Sequence, residues 1–272
     1  MTYCVAVQID EGLVFASDSR TNAGVDQVST YSKMHTFEFD DRVFVVMAAG
    51  NLATTQAVIQ RLKREAEADD GDDENLLTVE HMSSAAEYLG RLNREEQDKH
   101  HEALSKSGIT AEATLLIGGQ IAGEDPEVYL VYPQGNFITT SQQTPFLQIG
   151  ESKYGKPILD RIIRPDTSLG DAARCALVSM DSTIRSNLTV GPPIEMIVYE
   201  RGQLSFEHYL CLDANDDVLR NLTQAWDENI RRAFVDLPRF DWESARSQKK
   251  RGTRVKTARS GAGRSTTRQA AS

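Results

Sequence analysis

The order in which strand and helix patterns follow one another restricts the fold of this chain more than any other feature. Two helical patterns follow directly on a group of four strands. The alternation of apolar and polar residues predicts those strands at about 3–9, 12–17, 34–39 and 43–49. The spacing of apolar residues predicts the two helices at 53–67 and 78–104.

A second series of elements follows in the rest of the chain. Four strands are predicted in the segments EATLLIGG, EVYLVYP, NFITT and FLQIG. Two helices come next, over 153–164 and after a capping box at Ser168-Leu169-Gly170-Asp171. Two strands, PIEMIVYE and LSFEHYLCL, and a helix at about 214–233 complete the order. Helices grouped in pairs favour an α+β fold, a four-layer α-β-β-α sandwich, because strands and helices would alternate in a doubly wound sheet.

Charge divides the chain into two parts. All 40 acidic residues lie in 1–243, the predicted folded domain. The segment 244–272 has nine basic residues, no acidic one and almost no large apolar side chain, so we expect a disordered tail. It lacks aromatic residues for stacking on bases, which makes a nucleic-acid partner a minor alternative, and it could equally contact the acidic surface of neighbouring subunits.

Composition favours a cytoplasmic protein with no membrane contact. The 272 residues contain no run of 18 apolar side chains, and Gln8, Asp10 and Glu11 interrupt the first apolar segment too early for a signal peptide. Three cysteines, far apart, do not form a disulfide framework or a cysteine zinc site. An acidic run at 67–75 lacks the spacing of a calcium-binding loop, so we expect a solvated loop there.

The first two residues raise the question of catalysis. The chain begins Met1-Thr2, directly before the first predicted strand. Methionine aminopeptidases remove methionine when the next side chain is small, so we expect Thr2 to become the N-terminal residue. A threonine with a free α-amine carries a nucleophile and a base on one residue. The alternative is that Thr2 is an ordinary β-branched residue at the start of a strand.

Three later residues fit the needs of such a nucleophile. Lys33 precedes the third strand, and a buried cation would lower the pKa of a neighbouring amine and keep it basic. Asp18 ends the second strand, where its carboxylate can hold that lysine. Gly50 ends the fourth strand before a helix, where unpaired N–H groups can stabilise an oxyanion. Each residue alone also fits a structural role, as a turn carboxylate, a surface charge and a helix-entry glycine.

These residues, in this order, resemble the proteasome β-subunit family of N-terminal nucleophile hydrolases, from Thr2 to about residue 235. Within that family the segments SDSRTNAGVD, QIGESKYGKPILDR and SNLTVGPPIE are most similar to the bacterial ancestral β-type subunits, called Anbu. The resemblance implies Thr2 as nucleophile, Asp18 and Lys33 as its orienting aspartate and lysine, Arg20 in an Asp-x-Arg pattern and Gly50 as the oxyanion glycine.

The resemblance also implies further site residues. Where the family has Gly-Ser-Gly, this chain has Ile149-Gly150-Glu151-Ser152, so Ser152 or Glu151 takes the serine's role. The family's second Asp-x-x-Ser falls at Asn187-Leu188-Thr189-Val190, without the carboxylate. The implied substrate pocket consists of Thr21, Tyr31, Ala48 and Leu52. A structural cation, held by backbone carbonyls of Asp181, Ile184 and Asn187, is also implied, and no other cofactor is.

The sequence therefore predicts a threonine-type peptidase that cleaves an amide bond of a peptide or peptide-like substrate. By resemblance, it forms a ring or spiral ring of like subunits, with any unfoldase as a separate partner. Two alternatives remain open at this point. One is a non-catalytic scaffold or binding module with the same body, and the other is an amidase that acts on a small molecule.

Overall fold

The computed structural model describes residues 1–22, 28–67 and 74–243, called the described residues below. The predicted basic tail, and the acidic loop apart from its ends, lie outside them. The chain divides into two compact units, residues 1–224 and 225–272. The first unit contains every strand and the helices α1 to α4, whereas the second begins within the last helix.

The first unit contains twelve strands among the described residues, and all of their pairings are antiparallel. They are β1 (Tyr3–Ile9), β2 (Gly12–Asp18), β3 (Arg20–Asn22), β4 (Val28–Thr30), β5 (Met34–Phe39), β6 (Arg42–Gly50), β7 (Ala113–Ile121), β8 (Glu127–Val131), β9 (Phe137–Thr139), β10 (Phe146–Gly150), β11 (Ile194–Glu200) and β12 (His208–Leu212). One five-stranded sheet has the order β10-β1-β2-β11-β12, and the other has the order β5-β6-β7-β8-β9. Strands β3 and β4 form a separate hairpin.

The helices follow the sheets in pairs, as the sequence predicts. They are α1 (Leu52–Glu67), α2 (Met82–Lys106), α3 (Ser152–Ile162), α4 (Leu169–Ser186) and α5 (Asp217–Val235). The predicted capping box is confirmed, because the Ser168 side chain accepts a hydrogen bond from the Asp171 N–H at 3.2 Å. Helix α2 begins at Met82 rather than 78, because a turn around Asn75 takes up the preceding N–H groups of Leu77, Thr78 and Val79.

Three hydrophobic clusters show how the elements stack. One lies between the second sheet and the pair α1–α2, with Phe44 and Leu89 at its centre. Another lies between the first sheet and the pair α3–α4. The third lies between the two sheets, where Phe15 of β2 faces Met47 of β6. These three apolar layers confirm the four-layer α-β-β-α sandwich for the first unit.

The hairpin β3–β4 consists of two strands that the sequence analysis missed. Each of its strands has three residues, in the polar segments RTN and VST, so no alternation of apolar side chains marks them. The hairpin stands between Asp18 and Lys33 in the chain. Its two strands therefore link the end of β2 to the start of β5.

In the second unit, the rings of Phe240 and Trp242 stack at a centroid distance of 5.8 Å. Across the described residues, no helix combines the length and the apolar character needed to span a bilayer. The proposed boundary between a domain at 1–243 and a tail at 244–272 stays a prediction.

Candidate active site

The backbone of Thr2 is fixed by its neighbour across the sheet. Strand β1 pairs with β10 so that Tyr3 lies opposite Gly150. The Thr2 carbonyl accepts a hydrogen bond from the Glu151 N–H at 2.8 Å. Gly150 has a φ of +80°, and a Cβ atom there would lie 1.8 Å from the Thr2 carbonyl oxygen. Only glycine fits this position without displacing Thr2.

Asp18 is the central buried polar residue beside Thr2. It ends β2, and its side chain is inaccessible to solvent. Its Oδ1 atom accepts hydrogen bonds from the Tyr3 N–H at 2.9 Å and from Lys33 Nζ at 2.6 Å. Its Oδ2 atom accepts one from the Gly191 N–H at 3.2 Å. The carboxylate thus connects the residue after Thr2 to Lys33.

Lys33 is a buried cation with two acceptors. Its side chain is 8% exposed, and besides Asp18 its ammonium donates to the Arg20 carbonyl at 2.7 Å. Burial raises the pKa of Asp18 above its ordinary value, and Lys33 and the N–H groups of Tyr3 and Gly191 oppose that rise. The pair is consequently a salt bridge in which each ion has hydrogen-bond partners that offset its loss of hydration.

Gly50 is the last residue of β6, and strand geometry indicates where its N–H group points. The Ala48 N–H donates to the Lys33 carbonyl at 3.1 Å. Every second N–H group of a strand points to the same side, so the Gly50 N–H, two residues further along β6, should point to the side of Lys33. Among the described residues, β5 begins only at Met34, opposite Met47, so it does not extend along β6 as far as Gly50. Gly50 has a φ of +125°, and a Cβ atom would lie 2.4 Å from the Glu112 carbonyl, so glycine is needed here as well.

These groups open into a cavity of about 1150 Å³. Thr2, Lys33 and Gly50 lie on its wall. All four residues of the implied substrate pocket line it as well, namely Thr21, Tyr31, Ala48 and Leu52. Further lining comes from one face of α1, at the spacing of successive helical turns: Thr55, Gln56, Ile59, Gln60 and Lys63. The cavity is concave and partly apolar, as sites for small molecules and peptide side chains are.

His35 also lines the cavity, and the sequence analysis did not select it. It lies on β5, next but one to Lys33. Burial, with a smaller contribution from the positive charge of Lys63, lowers the pKa of His35 to about 4, although Glu195 acts in the opposite direction. The imidazole is therefore neutral at pH 7. A lone histidine in a strand gave no signal by which it could have been selected.

Some of the predicted residues lie outside this cavity. Arg20 lies against Gly191, where a Cβ atom would come within 2.3 Å of Cζ, and its Nη1 donates to the Leu188 carbonyl at 2.9 Å. Ser152 is the first residue of α3, and its carbonyl accepts from Gln148. Glu151, the alternative to Ser152, does line the cavity. The catalytic roles of all these residues stay predictions.

The implied cation site is separate from this cavity. The Asp181 carboxylate interacts with Arg185 at 2.9 Å and with Thr223 at 3.1 Å. The Asn187 carbonyl accepts from the Val190 N–H at 3.2 Å. Among the described residues, no three histidine, cysteine, aspartate or glutamate side chains are grouped as for a metal ion. A cation held by Asp181, Ile184 and Asn187 would have to use backbone carbonyls, and it stays a prediction.

Comparison with known proteins agrees with the fold. Residues 2–199 match the family model described as "Proteasome subunit". The chain is 24% identical over 198 residues to the proteasome subunit beta 2 of Pyrobaculum calidifontis, which covers 72% of this chain and 88% of that protein.

Solved structures resemble the chain more strongly. The Anbu ancestral beta-subunit from Yersinia bercovieri is 44% identical, with a TM-score of 0.82, and the match covers 88% of this chain and 99% of that one. A structure of the helical assembly of the Anbu complex from Pseudomonas aeruginosa is also 44% identical, with a TM-score of 0.82, and the match covers 88% and 98% of the two chains.

Proposed function

The chain belongs to the proteasome subunit family, and from this premise we propose that it is a threonine-dependent amide hydrolase with Thr2 as its nucleophile. One observation carries the proposal. Asp18 connects the N–H of Tyr3, the residue after Thr2, to the buried Lys33 ammonium through a single oxygen atom. A buried ion pair that only stabilised the fold could lie anywhere in the core, whereas this pair adjoins the cavity that Thr2 lines.

Removal of Met1 is the first step. While Met1 is attached, the nitrogen of Thr2 belongs to a peptide bond and cannot act as a base. Met1 is 61% exposed, so an aminopeptidase can reach it. The free α-amine, with an ordinary pKa near 8, then lies close to Lys33, whose positive charge favours the neutral, basic form of the amine.

The reaction is an acyl transfer in two halves. Thr2 Oγ attacks the amide carbonyl carbon while the α-amine takes the hydroxyl proton. The Gly50 N–H stabilises the oxyanion, and Asp18 orients Lys33. The tetrahedral intermediate collapses as the amine of Thr2 gives the proton to the leaving nitrogen, which leaves an ester on Thr2. Water, deprotonated by the same amine, then hydrolyses the ester and releases the acid.

The cavity favours a peptide or peptide-like substrate. Ala48, which lines the cavity with Leu52 and Tyr31, has a small side chain, so an apolar substrate side chain would have room beside it. We also propose that the protein works as a homo-oligomer, because a solved relative forms a helical assembly. The cytoplasm is its proposed location. Protein substrates would then need a separate unfoldase.

The test is cleavage of a library of fluorogenic peptide amides by three forms of the protein: wild type, Thr2→Ser and Thr2→Ala. All three have a small second residue, so removal of Met1 is matched. We expect cleavage by the wild type and by Thr2→Ser and none by Thr2→Ala. Equal cleavage by Thr2→Ala would exclude Thr2 as nucleophile. Absence of cleavage by all three would favour the non-catalytic scaffold.

A further inference from the structure

A second buried carboxylate lies beside the Asp18–Lys33 pair, on a different strand. Glu195 is the second residue of β11 and is 7% exposed. Its Oε2 atom accepts a hydrogen bond from the Ser19 hydroxyl at 2.9 Å, and its Oε1 atom accepts one from the Ser32 hydroxyl at 3.0 Å. Ser19 directly follows Asp18, and Ser32 directly precedes Lys33. One carboxylate therefore holds both neighbours of the ion pair.

The third partner of Glu195 comes from the other side. The Tyr209 hydroxyl, on β12, donates to Oε1 at 2.8 Å. Among the described residues, these three hydroxyl groups are the hydrogen-bond partners of the Glu195 carboxylate, and no cation there pairs with it. A buried carboxylate is costly unless it is well hydrogen-bonded, and an apolar residue would fill a strand position more simply. A positional role explains why a carboxylate stands there.

Ser32 is held in a fixed position by this contact. Its hydroxyl lies 2.8 Å from the Met34 carbonyl and accepts from the Met34 N–H at 3.3 Å. A hydroxyl has one proton, so it donates either to Met34 or to Glu195, and the charged acceptor makes the stronger bond. The Ser32 side chain thus links the start of β5 to β11.

We propose that Glu195 is a positioning residue that holds the end of β2 and the start of β5 at the separation the Asp18–Lys33 pair requires. Among the described residues between Ser19 and Ser32, the backbone joins the two segments through the three-residue strands β3 and β4 and through the Tyr31 N–H, which donates to the Ser19 carbonyl at 2.9 Å. The Glu195 carboxylate adds a link to both segments from a different strand. Catalytic groups must keep their places within about 0.5 Å, and a shift of about 1 Å can cost roughly 100-fold in rate. The proposal rests on the proposed function, since it concerns the same reaction.

Four variants distinguish the positioning role of the Glu195 side chain from an effect of its charge. In Glu195→Gln, the amide oxygen can accept from Tyr209 and the amide nitrogen can donate to a serine oxygen, so the shape of the contact is kept. In Glu195→Ala, both serine contacts are lost. The double variant Ser19→Ala/Ser32→Ala removes the same contacts from the opposite side. Tyr209→Phe is the matched control, because it removes one hydrogen bond to the same carboxylate without touching either segment of the site.

The readout is the rate at which a peptide epoxyketone labels the N-terminal threonine, followed by intact mass as a function of pH. We expect Glu195→Ala and the double serine variant to be labelled roughly 10- to 100-fold more slowly than the wild type. Their pH profiles should also shift upward, because the α-amine moves away from the Lys33 ammonium. Glu195→Gln and Tyr209→Phe should stay within about threefold of the wild type, with an unchanged profile. A loss of stability alone would not shift the profile of the folded fraction.

Three outcomes would overturn the proposal. If the wild type is labelled and Glu195→Ala is labelled equally fast with the same profile, the positioning role is wrong while the proposed function stands. If Tyr209→Phe loses as much as the double serine variant, the two serine contacts are not what matters. If the wild type itself is not labelled, the proposed function fails, and the role of Glu195 fails with it.

Discussion

The ammonium of Lys33 lies 2.6 Å from the Oδ1 atom of Asp18, and that same oxygen accepts the N–H of Tyr3. The position of the cation is therefore tied to the first peptide group after Thr2. Asp18 is fully buried, so this connection lies where the dielectric constant is low and charges interact strongly. A substitution that moves the Asp18 carboxylate should therefore also move the Lys33 ammonium relative to Thr2.

Asp18→Asn should be both unstable and inactive. The substitution leaves the Lys33 ammonium buried without a carboxylate, which costs about 3–5 kcal/mol for a buried pair. We expect that loss in the free energy of unfolding measured with denaturant, and at least a roughly 100-fold slower labelling of Thr2. The double variant Asp18→Asn/Lys33→Met should recover stability but not labelling. Recovery of labelling in the double variant would show that the ion pair has no part in the chemistry.

Gly150→Ala should displace Thr2. A Cβ atom at Gly150 would lie 1.8 Å from the Thr2 carbonyl oxygen, at a φ of +80°. Gly108→Ala is the matched control, because Gly108 has a similar φ of +69° but no atom within 4 Å of its Cβ position. Both variants incur the cost of a left-handed residue, about 1–2 kcal/mol, and only Gly150→Ala should also slow the labelling of Thr2.

Equal labelling rates of the two glycine variants would contradict this account. They would mean that the backbone of Thr2 can shift without effect on its reactivity. The free energies of unfolding, measured for both variants with the same denaturant, separate the cost of the clash from the cost of the backbone conformation.

Ala48→Leu should narrow the substrate pocket. Ala48 is 6% exposed and lines the cavity, and a larger side chain would occupy the space left for the substrate. We expect electrophiles with a leucine or phenylalanine side chain at the reacting residue to label Thr2 at least about tenfold more slowly. An electrophile with an alanine side chain there should label Thr2 at the wild-type rate. Ala53→Leu, on an exposed position of α1, is the control and should change neither rate. A uniform loss over all electrophiles would indicate general overpacking, which costs about 1–3 kcal/mol.

His35 should make the fold sensitive to acid. Burial lowers its pKa from 6.5 to about 4, with Lys63 adding to the shift and Glu195 opposing it. Between these values the unfolded chain binds a proton that the folded chain does not, so stability is present above pH 6.5 and is lost as the pH falls to 4. Between pH 7 and pH 4, the free energy of unfolding of the wild type should fall by up to about 3 kcal/mol more than that of His35→Gln. If the difference in the free energy of unfolding between the two proteins stays constant across that range, the lowered pKa of His35 is contradicted.

Much of the fold could be predicted from the sequence, because its signals are local. The grouping of strands and helices, and the capping box at Ser168, follow from patterns within one element. The hairpin β3–β4 could not be predicted in this way, since five polar residues and one valine in two short strands carry no alternation. Its pairing, which places Arg20 opposite Thr30 and Thr21 opposite Ser29, is visible only in the structure.

The candidate site also has features that could be predicted from the sequence and features that could not. Thr2, Lys33, Gly50 and the pocket residue Ala48 lie on one cavity, as the resemblance implies. The contacts that hold Asp18 could not be predicted, because the N–H groups of Tyr3 and Gly191 come together only through the pairing of β1, β2 and β11. Glu195 had a signal that was not used: it is the one acidic residue within an otherwise apolar run, IEMIVY. A carboxylate in such a strand has to find hydrogen-bond donors from elsewhere in the fold.

The central claim is that Thr2 is an activated N-terminal nucleophile, and tandem mass spectrometry of the protein treated with a peptide epoxyketone tests it most directly. The account predicts one adduct per chain, on a terminal peptide that begins at Thr2 and lacks Met1, and no adduct in Thr2→Ala. An adduct on Cys211, an exposed free thiol, or a chain that has lost Met1 and remains unmodified, would contradict it.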